Sequence, residues 1–143
     1  MVELVPNLLR QEMARLAEQD ARIDGRARFE GREIILETDC LYNAEGSAKV
    51  TMGKTVVYAG VKFEIRTPWP DRPSEGSLMC GAELRPVAHR KYEPGPPSPE
   101  SIELGRVVDR GIRESGRIDM NSLCIIPGEK VWGVMIDIHV LSD

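Results

Sequence analysis

The stretch Val50-Thr-Met-Gly-Lys-Thr-Val-Val-Tyr-Ala-Gly-Val-Lys-Phe-Glu-Ile65 decides the fold class. Val57, Ala59, Val61, Phe63 and Ile65 fall at every second position, with Val56, Tyr58, Lys62 and Glu64 between them. Side chains on a strand alternate between faces, so the pattern predicts a strand over 55–65 with one apolar and one mixed face. Gly53-Lys54 is a two-residue turn of the Gly-X type, which folds residues 50–52 back as an antiparallel partner.

Upstream of this hairpin, Ile34-Ile-Leu36 reads as a short strand. Asn43-Ala-Glu-Gly-Ser47 reads as a turn, with Gly46 expected at positive φ. Leu8, Leu9, Met13 and Leu16 recur at helical spacing, which predicts an amphipathic helix over 6–20. That helix ends before Arg22-Ile-Asp-Gly-Arg26, where Gly25 permits a turn.

Downstream, Pro68, Pro70 and Pro73 make 67–75 a loop, and 78–84 is a further strand. Tyr92-Glu-Pro-Gly-Pro-Pro97 is a shaped connection. Ser98-Pro99-Glu100 then supplies a cap residue, a proline at the first helical position and a carboxylate at the positive dipole end. The helix runs to about residue 115 and stops at Gly116. Over 130–141, Trp132, Val134, Ile136, Ile138 and Val140 share one strand face; Asp137 and His139 share the other, where they are placed to meet. Four or five strands with two helices leave one wide sheet face short of cover, so the chain reads as unfinished.

The 143 residues are 41% hydrophobic and 29% charged, as expected of an ordinary globular domain. No run approaches the roughly 20 apolar residues of a membrane span, and the amphipathic amino terminus does not read as a secretory signal. A cytoplasmic protein is the default expectation. The net charge of −4 means that any nucleic-acid contact must rest on a local basic cluster. Cys40, Cys80 and Cys124 are widely spaced, and His89 and His139 stand apart, which predicts reduced, mostly buried thiols and no metal site.

One local basic cluster lies on the second helix. At about 100° per residue, Arg106, Arg110 and Arg113 fall within about 60° of one another, opposite Leu104, Val107, Val108 and Ile112. Arginine suits phosphates because its planar fork donates two hydrogen bonds at once. Arg106 and Arg110 are separated by about 6 Å of helical rise, comparable with the spacing of adjacent backbone phosphates. A charged stripe opposite an apolar one is also what any surface helix shows, and Glu103, Asp109 and Glu114 are placed to pair with these arginines. The basic run His89-Arg90-Lys91 reads as a solvated turn.

The order of the segments is more specific than any one of them. Arg22-Ile-Asp-Gly-Arg26, Gly46-Ser-Ala-x-Val50 with Gly53-x-Thr55, and Gly60-Val-Lys62 come first. Glu83-Leu-x-Pro86, Glu93-Pro-Gly-Pro-Pro97, Ile102-Glu-Leu-x-Arg-Val-Val-Asp-Arg110, Val131-Trp132 and Asp137-Ile-His-Val-Leu141 follow. This series resembles the opening of ribonuclease PH and of the exosome ring proteins. Glu93-Pro-Gly-Pro-Pro97 and Arg106-Val-Val-Asp-Arg110 look most like the non-catalytic ring subunit of the archaeal exosome.

The resemblance implies a two-layer α+β fold like ribosomal protein S5 domain 2, with a mixed sheet and the second half of the usual fold missing. It divides the chain into an amino-terminal helix over 1–21 and the first part of an RNase PH-type domain over 22–143. It also implies a hexameric ring shared with a catalytic RNase PH-type paralogue, around a channel for single-stranded RNA. Arg106 and Arg110 match the family's channel arginines, and Arg113 joins them as an RNA-binding candidate. No catalytic residue, metal ligand or cofactor is expected in this chain. Two other readings stay open: a phosphorolytic 3′-to-5′ exoribonuclease completed by another chain, and an interaction domain unrelated to RNA.

Overall fold

The computed structural model describes residues 4–143, so residues 1–3 of the expected terminal segment lie outside the described residues. These form two compact units, residues 4–33 and residues 34–143. The first holds helix α1, Leu4–Glu18, followed by a loop. In that loop Asp20 takes positive φ and Ala21 bridges Ala27. Gly25, at φ 81°, turns the chain so that its N–H donates to the Arg22 carbonyl at 2.9 Å.

The second unit is a six-stranded mixed sheet with one long helix. In chain order it contains β1 (Ile34–Thr38), β2 (Gly46–Met52), β3 (Thr55–Arg66), β4 (Ser77–Leu84), α2 (Pro99–Ser115), β5 (Cys124–Ile126) and β6 (Lys130–Ser142). Across the sheet the order is β1-β2-β3-β6-β4, with β5 beside the start of β6. All pairings are antiparallel except β4 with β6, which the α2 crossover joins in parallel.

The register shows how the alternation builds a core. Val57, Ala59, Val61, Phe63 and Ile65 lie opposite Val140, Ile138, Ile136, Val134 and Trp132. On the other side of β6, Val134, Ile136, Ile138 and Val140 pair with Leu78, Cys80, Ala82 and Leu84. Paired residues share a face. Leu36 and Ile34, opposite Val50 and Met52, extend that apolar face to the β1 edge. The opposite face carries Lys49, Tyr58, Lys62, Glu64, Asp137, His139 and Glu83. Cover is uneven: Leu78, Ala82, Val134, Ile138 and Val140 are buried, whereas Ile34, Leu36, Phe63, Ile65 and Trp132 of the same face are exposed.

Several details depart from the sequence reading. Gly46 is not a positive-φ turn residue; it opens β2 opposite Val61, and the left-handed residue before the strand is Asp39. β5 and a single 3-10 turn, Asn121–Leu123, are additions, too short to show a period. The cysteines are free but not mostly buried: Cys40 is exposed and the other two are half-buried. Burial, then the nearby Asp109 and Asp137 carboxylates, push the Cys80 thiol above its ordinary value, which favours the unreactive protonated form.

The largest correction concerns how α2 sits. Its buried face is Ser101, Leu104, Gly105, Val108 and Ile112, whereas Val107 is 63% exposed. Gly105 lies directly on β4: a Cβ there would be 3.3 Å from the Cys80 carbonyl oxygen and 3.4 Å from the Ala82 nitrogen. Gly111, on the outer side, has nothing within 4 Å. Two glycines of one helix therefore predict opposite outcomes. Gly111→Ala should stabilise by about 0.5–1 kcal/mol through helix propensity alone. Gly105→Val should lose about 2 kcal/mol, because strand backbone cannot give way as a side-chain tip does. Urea unfolding of the two variants checks this, and equal shifts of the same sign would refute the close packing.

Candidate nucleic-acid interface

Helix α2 presents its outer side because both ends are fixed. The Ser98 hydroxyl accepts the Ser101 N–H at 3.3 Å, and Pro99 occupies the first turn, where no amide donor is needed. Glu100 at this end is held below the usual carboxylate range by its own backbone N–H, then by the Ser98 hydroxyl and Lys91. Gly116, at φ 62°, ends the helix in a left-handed cap, its N–H donating to the Arg113 carbonyl at 3.3 Å.

The three arginines of the stripe are not equivalent. Arg106 is exposed, and among the described residues no hydrogen bond or ion pair engages its side chain. Arg110 is exposed and meets Glu114 one turn on, Nε to Oε1 at 2.7 Å, with the two side chains 79% and 66% accessible. Such a surface pair contributes only about 0–1 kcal/mol and yields readily to a phosphate. Arg113 is engaged by its own helix and by β4. Its Nε and Nη2 donate to the Asp109 carboxylate at 2.6 and 3.2 Å, and Nη2 also donates to the Leu78 carbonyl. It fastens the end of α2 to β4, which leaves Arg106 and Arg110 as the outward pair.

The other candidate groups are engaged differently from their spacing. His139 does not meet Asp137 among the described hydrogen bonds; its Nδ1 accepts from Arg85 Nε at 3.1 Å. Arg85 in turn pairs with Glu83 at 2.9 Å, so acid, guanidinium and imidazole satisfy one another. In the basic run, the His89 Nδ1 accepts the Lys91 N–H at 3.1 Å. Lys91 lies 3.8 Å from the Asp143 carboxylate, to which the Tyr92 hydroxyl donates at 3.0 Å. Among the described residues no three His, Cys, Asp or Glu side chains are grouped to hold a metal ion. No helix among them is long and apolar enough to cross a membrane. A second arginine cluster, which helical spacing did not single out, surrounds a cavity in residues 4–33.

Residues 30–143 match the ribonuclease PH, 3′ exoribonuclease family, domain 1. The chain belongs to this family. It is 49% identical over 143 residues to the exosome complex component Rrp42 of Methanosarcina mazei, covering 100% of this chain and 54% of that protein. The corresponding component of Sulfurisphaera tokodaii is 44% identical over 139 residues, 96% of this chain and 50% of the relative. The chain thus spans about half the length of the curated relatives it matches.

Among solved structures, the Archaeoglobus fulgidus exosome with RNA bound to the active site contains a similar chain. It superposes with a TM-score of 0.93 at 45% identity, over 99% of this chain and 56% of that one. Rice Rrp46, at 20% identity and a TM-score of 0.58 over 85% of this chain, shares the fold alone. The architecture is therefore the ribonuclease PH-type fold expected from the segment order, a mixed sheet with helices.

Proposed function

We propose that this chain is a non-catalytic, RNA-contacting subunit of an exosome-like ring that degrades RNA from the 3′ end, alongside a catalytic RNase PH-type paralogue. The observation that carries this reading is the outward pair Arg106 and Arg110 on α2, in a chain similar along its whole length to exosome components. Two guanidinium groups about 6 Å apart along a helix match successive phosphates, and the competitor among the described residues is the exposed Glu114 carboxylate. Phosphate, the co-substrate of phosphorolysis, would be held by the partner.

The non-catalytic assignment is supported by what the polar groups do. Phosphorolysis needs donors converging on a reacting phosphodiester and a general acid within reach of the leaving oxygen. Here Glu83, Arg85 and His139 close on one another, so these polar groups are committed within the fold. Purified alone, the chain should release no nucleoside diphosphates from RNA, with or without phosphate. Co-expressed with a catalytic paralogue, it should co-purify as a ring whose RNA degradation requires phosphate. Diphosphate release by the chain alone would move the active site into it, and failure to co-purify with any family member would remove the ring.

The exposed part of the apolar sheet face supports a partnered state. Ile34 and Leu36 on β1, Phe63 and Ile65 on β3 and Trp132 on β6 lie exposed on one face of the sheet, and exposed apolar side chains of this kind favour association. At micromolar concentration the chain alone should self-associate in sedimentation experiments, and Trp132→Lys with Phe63→Lys should reduce it. A strictly monomeric chain would count against this.

A further inference from the structure

We infer that the cavity in residues 4–33 is a nucleotide-binding site, taking one nucleoside phosphate with its base against an apolar wall and its phosphate against arginines. This inference does not rest on the α2 reading and concerns a separate part of the chain.

The cavity measures about 410 Å³, within the size range of small-molecule sites. Met13, Leu16 and Ile23 are among its apolar lining residues, and Arg22, Arg26, Arg28 and Arg32 are its cations. The local charge is concentrated: residues 1–33 carry six arginines against seven carboxylates, yet the lining gathers four arginines against Asp20 and Asp24.

Among the described residues, two of those arginines face a carboxylate and two do not. Arg26 pairs with Asp24 at 2.7 Å and Arg28 with Asp20 at 2.9 Å. Among the described residues Arg22 donates to a neutral acceptor, the Arg28 carbonyl, through Nε at 3.2 Å and Nη2 at 2.7 Å. Arg32 has no partner among the described residues. Among the described residues, two of the four lining arginines therefore meet no carboxylate. Arg22 is held in place by the Arg28 carbonyl, and among the described residues its Nη1 and the Arg32 guanidinium meet no acceptor.

Arginine beside a carbonyl is preorganised for an anion, since the fork loses little further freedom when a phosphate arrives. A bare inorganic anion would leave the apolar wall of Met13, Leu16 and Ile23 in contact with water. A nucleoside phosphate fills both halves. The same chemistry comes from a free mononucleotide or from one residue of an RNA strand.

The test follows backbone amide shifts of the full chain during titration with adenosine 5′-monophosphate, adenosine, inorganic phosphate and a short RNA. Arg106→Glu/Arg110→Glu serves as background, so that binding at α2 does not interfere. The monophosphate should move amides of residues 13–32 and bind at least about tenfold more tightly than adenosine or phosphate. Arg32→Ala should weaken it by about tenfold while Arg32→Lys retains part; neither change breaks a bond within the fold. Tighter binding of RNA than of the monophosphate assigns the site to the strand; the reverse assigns it to free nucleotide. Equal binding of phosphate, equal binding of adenosine, or no response in residues 13–32 overturns the inference.

Discussion

Replacing Arg106 and Arg110 together by glutamate is expected to lower the affinity of an assembled ring for single-stranded RNA by about 10²-fold or more. Each charge-assisted hydrogen bond to a phosphate contributes about 1.5–3 kcal/mol, so losing two contacts already accounts for that factor. Charge reversal then adds repulsion. The salt dependence is the sharper readout. For single strands each phosphate contact adds about 0.7 to the slope of log affinity against log salt, so two lost contacts flatten it by about 1.4.

Arg106→Lys with Arg110→Lys separates charge from geometry. Lysine keeps the charge and hence most of the salt slope, but loses the planar fork, so affinity should fall by much less than for glutamate. Arg113→Glu provides the contrast on the same helix. Its guanidinium is already spent on Asp109 and the Leu78 carbonyl, so its replacement should cost about 1 kcal/mol of stability. The salt slope should hardly change. Unchanged affinity and slope in the double glutamate variant, with assembly confirmed by size, would reduce the stripe to a solvated helix face.

Sequence reached the strands for a physical reason. In β3 and β6 the apolar residues repeat with period two over a dozen positions, and only one register puts them on a common face. The caps of α2 were equally legible, because Ser98, Pro99 and Gly116 each act on their own turn. Val107 leaves the buried face because hydrophobicity alone does not decide which side of a helix packs. A helix lying against a single strand is positioned by closeness, which selects Gly105 and Ser101 over a branched side chain.

Arg113 shows a second limit. Helical spacing placed it in the arginine stripe, but an arginine is long enough to lie back along the helix, and the Leu78 carbonyl was there to receive it. Asp137 and His139 failed to meet for the same kind of reason: Arg85, from the segment after β4, reached the imidazole first. Spacing specifies which face a side chain leaves from, not which partner from another element arrives. The role proposed for Arg106 and Arg110 was legible only through the family resemblance, since helix geometry alone fits a solvated face equally well.

Gly76→Ala should be among the most damaging single substitutions in the second unit, lowering stability by about 3 kcal/mol. Gly76 is buried just before β4, and its N–H donates to the Met120 carbonyl at 2.8 Å. A Cβ there would stand 2.4 Å from the Leu123 Cβ, 2.8 Å from the Trp132 carbonyl oxygen and 2.9 Å from the Leu123 Cδ1. Its φ is not in the left-handed region, so the demand for glycine is purely one of space. Two of these obstacles cannot rotate away: a Cβ moves only with its backbone, and the Trp132 carbonyl belongs to β6. Either the 3-10 turn carrying Leu123 or the start of β4 must shift, and β4 is the strand on which α2 rests. Loss of affinity for RNA should therefore accompany loss of stability, although Gly76 is far along the chain from Arg106. The melting temperature should fall by roughly 10 °C. Adding Leu123→Gly removes the nearest obstacle, so the double variant should lose less than the sum of the two single changes. Additive losses would mean that Leu123 is not what Gly76 avoids, and an unchanged melting temperature for Gly76→Ala would show that this corner is not packed as described.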